Sequence, residues 1–276
     1  MQSNSKKSVV EKSVVEESRN IMELCTIQTN VLKTLFEGIK EIITEANIIF
    51  TPRGIELYAL EQSHTMIINL ILDSDKFEKY ECKNNEVIGL NIMNFYKILK
   101  HASNDDIISL YINENDRSKL KIKRENSIKK YITTHELNVI EPTNELDKLN
   151  IDFFDKYTKT YTESIIIKSD EFQKICKEMT TISENIELQK TKNQLIIKCS
   201  GDYATQETII NNITSENPEY LFQSHFSAKY LTSCNKFSSL CNTTKIYLDN
   251  KQPLLLIYQV GSLGELKIAL APKINT

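Results

Sequence analysis

Glycine is scarce in this sequence, at 6 of 276 residues, and both common glycine-rich phosphate-binding patterns are missing. Neither G-x-G-x-x-G nor G-x-x-x-x-G-K-[ST] occurs, although nucleotide-binding enzymes use them to bring backbone amides close to phosphate groups. The histidines are scattered, and none stands beside a nucleophile or a second ligand at metal-binding spacing: His64, His101, His135 and His225. We therefore identify no catalytic residue, and we expect a protein that is not an enzyme and uses no cofactor.

Paired cysteines are also lacking. The 6 cysteines show neither a C-x-x-C pair nor a regular spacing: Cys25, Cys82, Cys176, Cys199, Cys234 and Cys241. Because zinc sites and disulfide frameworks have such spacings, we expect free thiols in a reducing compartment and no bound metal. No apolar run approaches the roughly 20 residues that span a bilayer, and residues 1–20 lack the apolar centre of a signal peptide. We expect an intracellular protein in which residues 1–20 form a disordered extension.

An excess of positive charge is absent as well. The formal net charge is −3, so contact with nucleic acid would require the lysines to be concentrated on one surface. Hydrophobic residues make up 40% of the chain and charged residues 26%, which is typical of a globular protein with a packed core. The length of 276 residues favours two domains, because one domain usually contains roughly 100–150 residues.

The sequence does contain a unit that occurs four times. Apolar residues recur at helical spacing in four segments: 31–45, 92–101, from 169 onward and from 227 onward. Short runs rich in isoleucine, valine, tyrosine and leucine lie between them and predict antiparallel strands: 47–50, 55–60, 66–72, 107–112, 120–123, 186–189, 195–199, 244–248, 254–260 and 263–270. The repeated unit is therefore a strand, a helix and about three further strands.

The spacing of the four helices divides the chain into two similar halves. The interval between the second and third helices is the longest, and its surplus falls in a polar, acidic stretch. We predict an N-terminal domain at 21–135, a linker at 136–162 and a C-terminal domain at 163–276. Each domain contains two β-α-β-β-β repeats, so the predicted fold class is α+β.

Each predicted helix also carries two lysines on the side away from its apolar stripe. Steps of three or seven positions place both members of a pair on one helix face. The pairs are Lys33 and Lys40, Lys97 and Lys100, Lys174 and Lys177, and Lys229 and Lys236. Solubility alone also produces lysines on outer helix faces, but the fourfold repetition favours a surface that holds DNA phosphates without reading the bases.

Three blocks of sequence carry a resemblance to a known family. One block surrounds the second helix, another leads into a strand, and the third is the carboxyl end. Their residues are Phe77, Tyr80, Cys82, Gly89 and Asn91 with 97–100 and 104–108; Ser63-His64 through Leu70; and 264–267 with 270–274. In these blocks, and over nearly all of residues 21–276, the chain resembles the proliferating cell nuclear antigen family of eukaryotic and viral DNA sliding clamps.

The resemblance implies a closed ring, normally of three identical subunits, with helices around the hole and sheets outside. Such a ring encircles double-stranded DNA without sequence preference, tethers DNA polymerase and other replication and repair proteins, and is placed on DNA by a clamp loader. The eight lysines fall at or next to the family's DNA-facing positions. The implied location is the nucleus, or a cytoplasmic replication site or the host nucleus if the protein is viral.

The resemblance also implies a pocket for partner proteins, which insert a short peptide with a glutamine and two aromatic residues, a PIP-box-like peptide. The matching positions are Leu60, His64, Thr65, Met66, Ile67, Pro253, Ala271, Pro272, Lys273 and Ile274, with Leu146, Leu149 or Ile151 from the linker side. An apolar pocket ringed by backbone donors suits a peptide anchored by aromatic side chains. Lys192, with Lys190 and Lys198 close by, lies near the position at which family members accept ubiquitin.

Subunit contacts are expected in two segments, 118–125 and 208–213. They include Leu120, Ile122, Ile209 and Ile210. The alternation of lysines from Lys119 to Lys123 is typical of an exposed edge strand. A monomeric clamp-like polymerase accessory protein and a subunit of a heteromeric checkpoint clamp are the alternatives to a homotrimer, and an enzyme on this fold ranks far below both.

Overall fold

A computed structural model describes residues 19–142, 154 and 158–273, and its elements follow the predicted repeat. The N-terminal half contains β1 (Asn20–Thr26), α1 (Thr29–Ile39), β2 (Glu45–Thr51), β3 (Gly54–Leu60), β4 (Met66–Asp73), β5 (Lys79–Cys82), β6 (Glu86–Asn91), α2 (Ile92–Leu99), β7 (Ile107–Asn113), β8 (Asp116–Asn126) and β9 (Tyr131–Asn138). The C-terminal half contains β10 (Glu163–Lys168), α3 (Ser169–Met179), β11 (Asn185–Thr191), β12 (Gln194–Ser200), β13 (Thr205–Asn211), β14 (Thr214–Ser215), β15 (Phe222–Ser227), α4 (Ala228–Cys234), β16 (Thr243–Leu248), β17 (Leu254–Val260) and β18 (Gly264–Leu270). Short 3₁₀ helices cover Ser74–Lys76 and Asn235–Leu240.

The helix α1 ends earlier than its apolar pattern predicts. The pattern extends to residue 45, whereas the helix ends at Ile39 and continues as a turn in which the Ile42 amide donates to the Ile39 carbonyl over 2.9 Å. Ile43 is nevertheless buried, at 5% exposed. The helical spacing of apolar residues continues beyond the helix because Ile42 and Ile43, in the turn, also face the core.

The strands form three antiparallel sheets. One has the order β5-β1-β7-β8-β9, another β13-β12-β11-β15, and the largest is nine-stranded with the order β14-β10-β16-β17-β18-β4-β3-β2-β6. The nine-stranded sheet includes strands of both halves, because β4 pairs with β18 from Met66 opposite Leu270 to Leu72 opposite Gly264. A ladder of backbone hydrogen bonds therefore joins the two halves.

The main core lies between the sheets and the helices. Along β17, Leu254 and Leu256 belong to this core, whereas Leu255 belongs to a second apolar cluster on the other face of the sheet. Successive residues of a strand point to opposite faces, so a continuous apolar run indicates a strand that is covered on both sides. The nine-stranded sheet therefore has a helix face and an outer face.

The helices of the two halves meet in one layer. α1 packs against α2 and, across the junction, against the 3₁₀ helix Asn235–Leu240, which in turn packs against α3 and α4. A Cβ atom on Gly38 would overlap the ring of Phe237. Glycine is therefore required where α1 approaches the C-terminal half.

The domain boundaries predicted from the sequence need two adjustments. Asn20 already belongs to β1, and β9 continues through Asn138, where it pairs with Lys119 of β8. Residues 136–138 therefore belong to a sheet and not to the linker. The rest of the proposed division stays a prediction, since residues 1–18 and most of 143–157 lie outside the described residues. Within the described ranges, no helix is long and apolar enough to cross a membrane.

Candidate DNA interface and partner surface

The helix layer exposes most of the predicted lysines. Those with exposed side chains are Lys97, Lys100, Lys174, Lys177, Lys229 and Lys236. Opposite faces of α2 show how this arises: Phe95 and Leu99 are buried in the core at 1% and 2% exposed, while Lys97 faces solvent. Ammonium groups on flexible stems suit contacts with phosphates that do not depend on base sequence.

The two lysines at α1, Lys33 within the helix and Lys40 directly after its end, differ from the others. The Lys33 ammonium donates to the Ala102 carbonyl at 3.3 Å, near the end of α2. Lys40 has a side chain only 12% exposed, pairs with Glu41, and lies 4.9 Å from the centre of the Tyr96 ring. Both ammonium groups already have partners within the protein, so α1 presents less free positive charge than the other helices.

The outer face of the nine-stranded sheet carries a separate apolar cluster, here called the outer cluster. Its buried members are Tyr58, Phe154, Leu255 and Ala269, with Ile67, Tyr161, Tyr247 and Ile257 packed against them. Cross-strand register places one row of side chains side by side on this face: Leu60, Ile67, Ala269, Leu255 and Tyr247. The row runs through both halves of the chain.

Some of the predicted pocket residues lie in this row or beside it. Leu60 and Ile67 are half-buried within it, and Pro253 directly precedes β17, where its carbonyl accepts a 2.6 Å hydrogen bond from the Tyr161 hydroxyl. His64 has a positive φ of 59° in the exposed turn before β4. The structure thus brings the turn and the β3–β4 side of the predicted pocket together on the outer face.

The carboxyl-terminal segment crosses between two sheets beside this site. The Ala271 amide donates to the Thr65 carbonyl at 2.9 Å, and the Lys273 amide donates to the His225 carbonyl at 2.7 Å. Pro272, between them, is exposed. Ile274 was predicted to line the pocket but lies outside the described residues, as do the linker candidates Leu146, Leu149 and Ile151.

Met66 is a correction to the predicted pocket. Its side chain is 1% exposed and belongs to the main core, where its sulfur lies 3.4 Å from the Cys234 sulfur on α4. Its neighbour Ile67 faces the outer cluster instead. Two adjacent strand residues cannot both face one pocket, because their side chains alternate across the sheet.

The predicted subunit contacts also change. Leu120 and Ile122 are buried at 0% and 1%, and their strand β8 is paired on both sides, by β7 and β9. These two residues therefore cannot form a subunit contact, and β8 is not an edge. The neighbouring strand β9 is the free edge of its sheet, and Ile132 on it is 65% exposed.

The other predicted contact segment does contain an edge strand. β13 is the free edge of the four-stranded sheet; Ile209 on it is 46% exposed, whereas Ile210 packs against the main core. The remaining sheet edges among the described residues are short, charged or covered. β14 has 2 residues, and β5 has 4, of which Lys79 and Glu81 are charged. The edge of β6 is covered by an antiparallel backbone bridge between Gly89 and Ile140, and that of β15 by a hydrogen bond from the Lys273 amide.

A comparison with known protein families identifies the family to which the chain belongs. The family model for the N-terminal domain of proliferating cell nuclear antigen matches residues 21–146, and that for its C-terminal domain matches residues 157–273. The chain belongs to the proliferating cell nuclear antigen family. This membership confirms the predicted α+β clamp fold, and the family consists of non-catalytic processivity factors.

Relatives of the chain in this family match along nearly their whole length. "Probable DNA polymerase sliding clamp 1" of Paramecium bursaria Chlorella virus 1 is 32% identical over 266 residues, which cover 94% of this chain and 99% of that protein. Proliferating cell nuclear antigen 2 of Drosophila melanogaster is 30% identical, covering 92% of this chain and 98% of its own. Proliferating cell nuclear antigen of Chaetomium thermophilum is 29% identical, with coverages of 90% and 96%.

In this member of the proliferating cell nuclear antigen family, a buried carboxylate ties the turn after the lysine-bearing helix α2 to β8 and to the edge strand β9. Asp106 accepts hydrogen bonds from the Ser103 amide at 3.0 Å, from Asn126 at 2.6 Å and from the Tyr131 hydroxyl at 2.9 Å. Burial alone would raise the pKa of Asp106, but the hydrogen bonds from Asn126 and Ser103 outweigh it and lower the pKa from 3.8 to about 2. The carboxylate is therefore a structural anchor for β9.

The three lysines near the family's ubiquitin-accepting position have different environments. Lys192 is exposed in the turn between β11 and β12, with a positive φ of 47°. Lys190 is fully buried against Glu163, and Lys198 pairs with Glu207 at 2.8 Å. Of the three, Lys192 has the most accessible ammonium group.

Several residues of the outer face escaped the sequence reasoning. Tyr58, Leu255 and Ala269 are central to the outer cluster, and the uninterrupted apolar run at 254–257 was the signal that β17 is covered on both faces. Phe154 is buried at 2% although it lies in the predicted linker. No periodicity in that stretch could have identified it.

Proposed function

We propose that the chain is the subunit of a ring-shaped DNA sliding clamp that encircles duplex DNA and tethers DNA polymerase to it. The observation that carries this proposal is the match of both family domains, in order, to a chain whose helices form one lysine-bearing layer. Topological enclosure supplies retention, while the lysines offer phosphate contacts that permit sliding. The protein acts at sites of replication, in a nucleus or at a viral replication site.

The exposed lysines of the helix layer are proposed to face the DNA. Replacing four of them with alanine should reduce clamp loading or polymerase stimulation and leave partner-peptide binding unchanged, because the peptide site lies on the other face of the sheet. The four are Lys97, Lys100, Lys174 and Lys177. The measurement is primer-extension length at physiological salt, with peptide affinity measured by calorimetry.

A charge-matched control keeps net charge from explaining the result. Four exposed lysines outside the helix layer are replaced in parallel: Lys76, Lys83, Lys192 and Lys251. The control should extend primers like the unchanged protein. Equal processivity of the helix variant and the unchanged protein would remove the DNA-facing assignment, and equal losses in both variants would reduce it to an effect of net charge.

Subunits are proposed to join by pairing β9 of one chain with β13 of the next. Both edges are long and open and carry exposed isoleucines, whereas an edge strand without a partner is normally shortened, charged or covered to prevent aggregation. The two strands belong to different sheets in different halves, so the contact is head-to-tail and can close a ring. A homotrimer is the proposed assembly.

The mass of the protein in solution tests this joint. Ile132→Asp should lower the mass measured by light scattering from that of an oligomer to that of a monomer, because it replaces an exposed apolar side chain of the joint with a charge. Leu221→Asp, at a residue 62% exposed in the loop before β15, is the control and should keep the oligomer. An unchanged mass for Ile132→Asp would show that β9 is not the contact.

The outer face near Leu60 and Ile67 is proposed to receive PIP-box-like peptides from polymerase and other partners, and a clamp loader is proposed to place the ring on DNA. Half-buried aliphatic side chains beside the exposed Pro272 offer an apolar surface at the edge of the outer cluster. Aromatic anchors gain affinity by filling such a surface.

A further inference from the structure

One aromatic side chain of the chain itself already covers part of the outer face. Phe154 is 2% exposed and packs with Tyr58, Leu255 and Ala269, all of which come from strands of the nine-stranded sheet. Among the residues that the structure describes, none from α1 to α4 belongs to this cluster. Phe154 therefore covers the sheet from the solvent side, where the helix layer cannot reach.

The position of Phe154 is continuous with the proposed partner site. Ala269 stands between Ile67 and Leu255 in the cross-strand row; Ala269 and Leu255 belong to the cluster that contains Phe154, and Ile67 packs against that cluster. Ala269 is the smallest side chain of the row, so it leaves room above the sheet that an aromatic ring can fill. Leu60 and Ile67, at one end of the row, stay half-exposed.

The chain is anchored on the C-terminal side of Phe154. The Thr158 hydroxyl donates to the Phe154 carbonyl at 2.5 Å, and the Tyr161 hydroxyl donates to the Pro253 carbonyl at 2.6 Å. Tyr161 also packs edge-on against Tyr247, with ring centres 5.6 Å apart. Phe154 is thus held within reach of the sheet by its bond to Thr158 and by the contacts of Tyr161 with the chain just before β17 and with β16.

We propose that Phe154 occupies, in the free protein, the place that an aromatic anchor of a partner peptide takes when it binds. The inference rests on the proposed function, since it concerns the same partner site. A partner peptide then binds only after Phe154 leaves the outer cluster. Its measured affinity is reduced by the fraction of molecules in which Phe154 is docked.

The contact is suited to such an exchange. A single ring on a sheet surface gains apolar burial, and ordering the chain around it costs conformational entropy of comparable size. Because these two free-energy contributions nearly cancel, the ring is docked in most molecules and undocked in some. An incoming aromatic side chain buries a similar apolar area, so replacing Phe154 by that side chain costs little free energy.

Tryptophan provides a direct readout, because the chain contains 0 tryptophans. Phe154→Trp should give blue-shifted emission protected from iodide in the free protein. A synthetic peptide with one glutamine and two aromatic residues should shift that emission to the red and expose it to iodide, with the concentration dependence found by calorimetry. Leu221→Trp is the exposed control and should not respond. Emission that stays buried at saturating peptide, or that is exposed without peptide, would overturn the proposal.

The variant Phe154→Ala tests how much the docked ring lowers the affinity for the peptide. We expect this variant to bind the peptide about fivefold more tightly than the unchanged protein, as when a binding-competent fraction near one fifth becomes complete. Ile67→Asp should abolish binding in both backgrounds, which places the peptide on the outer face. Equal affinity of Phe154→Ala and the unchanged protein would overturn the self-occupancy alone and leave the pocket in place.

If the unchanged protein does not bind the peptide, the behaviour of Phe154→Ala distinguishes the proposed partner site from its proposed occupation by Phe154. If Phe154→Ala then binds the peptide, the ring blocks the site and the inference is supported in a stronger form. If neither protein binds, the partner site itself is misplaced, and the inference falls with it.

Discussion

Replacement of Lys190 by methionine should destabilise the C-terminal half of the protein severely. The Lys190 ammonium lies 2.7 Å from Glu163, and both side chains are 0% exposed. It also donates to the carbonyls of Asn217, Pro218 and Tyr220, at 2.6, 3.1 and 3.0 Å. Glu163 belongs to β10 of the nine-stranded sheet and Lys190 to β11 of the four-stranded sheet, so the pair joins two sheets.

The magnitude follows from what the substitution leaves behind. Glu163 keeps its neutral donors, the Ser215 hydroxyl at 2.8 Å and the Glu216 amide at 3.0 Å, but loses the ammonium group that balances its charge. Removing one member of a buried ion pair costs about 3–5 kcal/mol, because the other charge stays buried and uncompensated. With an m-value of about 2–3 kcal/mol/M, the urea midpoint should fall by about 1–2 M.

The assay is urea unfolding followed by circular dichroism at one fixed protomer concentration, since association stabilises the folded state. Lys198→Met is the matched control. Its pair with Glu207 is also short, 2.8 Å, but the side chains are 34% and 50% exposed, so water screens the pair and its loss should leave the urea midpoint nearly unchanged. Adding Glu163→Gln to Lys190→Met should restore part of the loss. Equal midpoints for Lys190→Met and Lys198→Met would refute the reasoning.

Two further predictions concern Asp106 and the junction of the halves. Asp106→Asn should lower the unfolding free energy by about 2 kcal/mol near neutral pH. Because the folded-state pKa of Asp106 lies at about 2, below the ordinary 3.8, its contribution is present above pH 3.8 and disappears as the pH falls towards about 2; a pH-independent difference in urea midpoints would contradict this. Gly38→Ala should cost about 1–3 kcal/mol by overpacking, despite the better helix propensity of alanine. Phe237→Leu in the same chain should recover much of that loss, and no recovery in thermal unfolding would show that the overlap with the ring is not the cause.

The repeat of strand, helix and three strands could be predicted from the sequence because each element has one apolar face and the periods of helix and strand differ. Edges were harder to predict. The alternating lysines of β8 were interpreted as an edge strand, but Lys119 and Lys121 both pair across the sheet with Glu136 of β9. Alternation indicates that one face of a strand is exposed, and it does not say whether the backbone on either side is paired.

The partner surface shows a second limit. Residues 64–67 were assigned to the pocket as a consecutive run, whereas β4 begins at Met66 and sends Met66 and Ile67 to opposite faces. Phe154 could not be predicted because its burial depends on a small side chain, Ala269, that is distant in sequence and adjacent only after β17, β18 and β4 have paired. Tertiary context, and no local pattern, creates that contact.

The pairing of β4 with β18 has a mechanical consequence. Seven residue pairs in register join the two halves, so bending the protomer at that seam would strain a whole ladder of hydrogen bonds together. The helix layer reinforces the same seam, because α1 of the N-terminal half packs against the 3₁₀ helix that contains Phe237. In a closed assembly each protomer would behave as a stiff arc, and an opening force would separate neighbouring chains before it deformed any one of them.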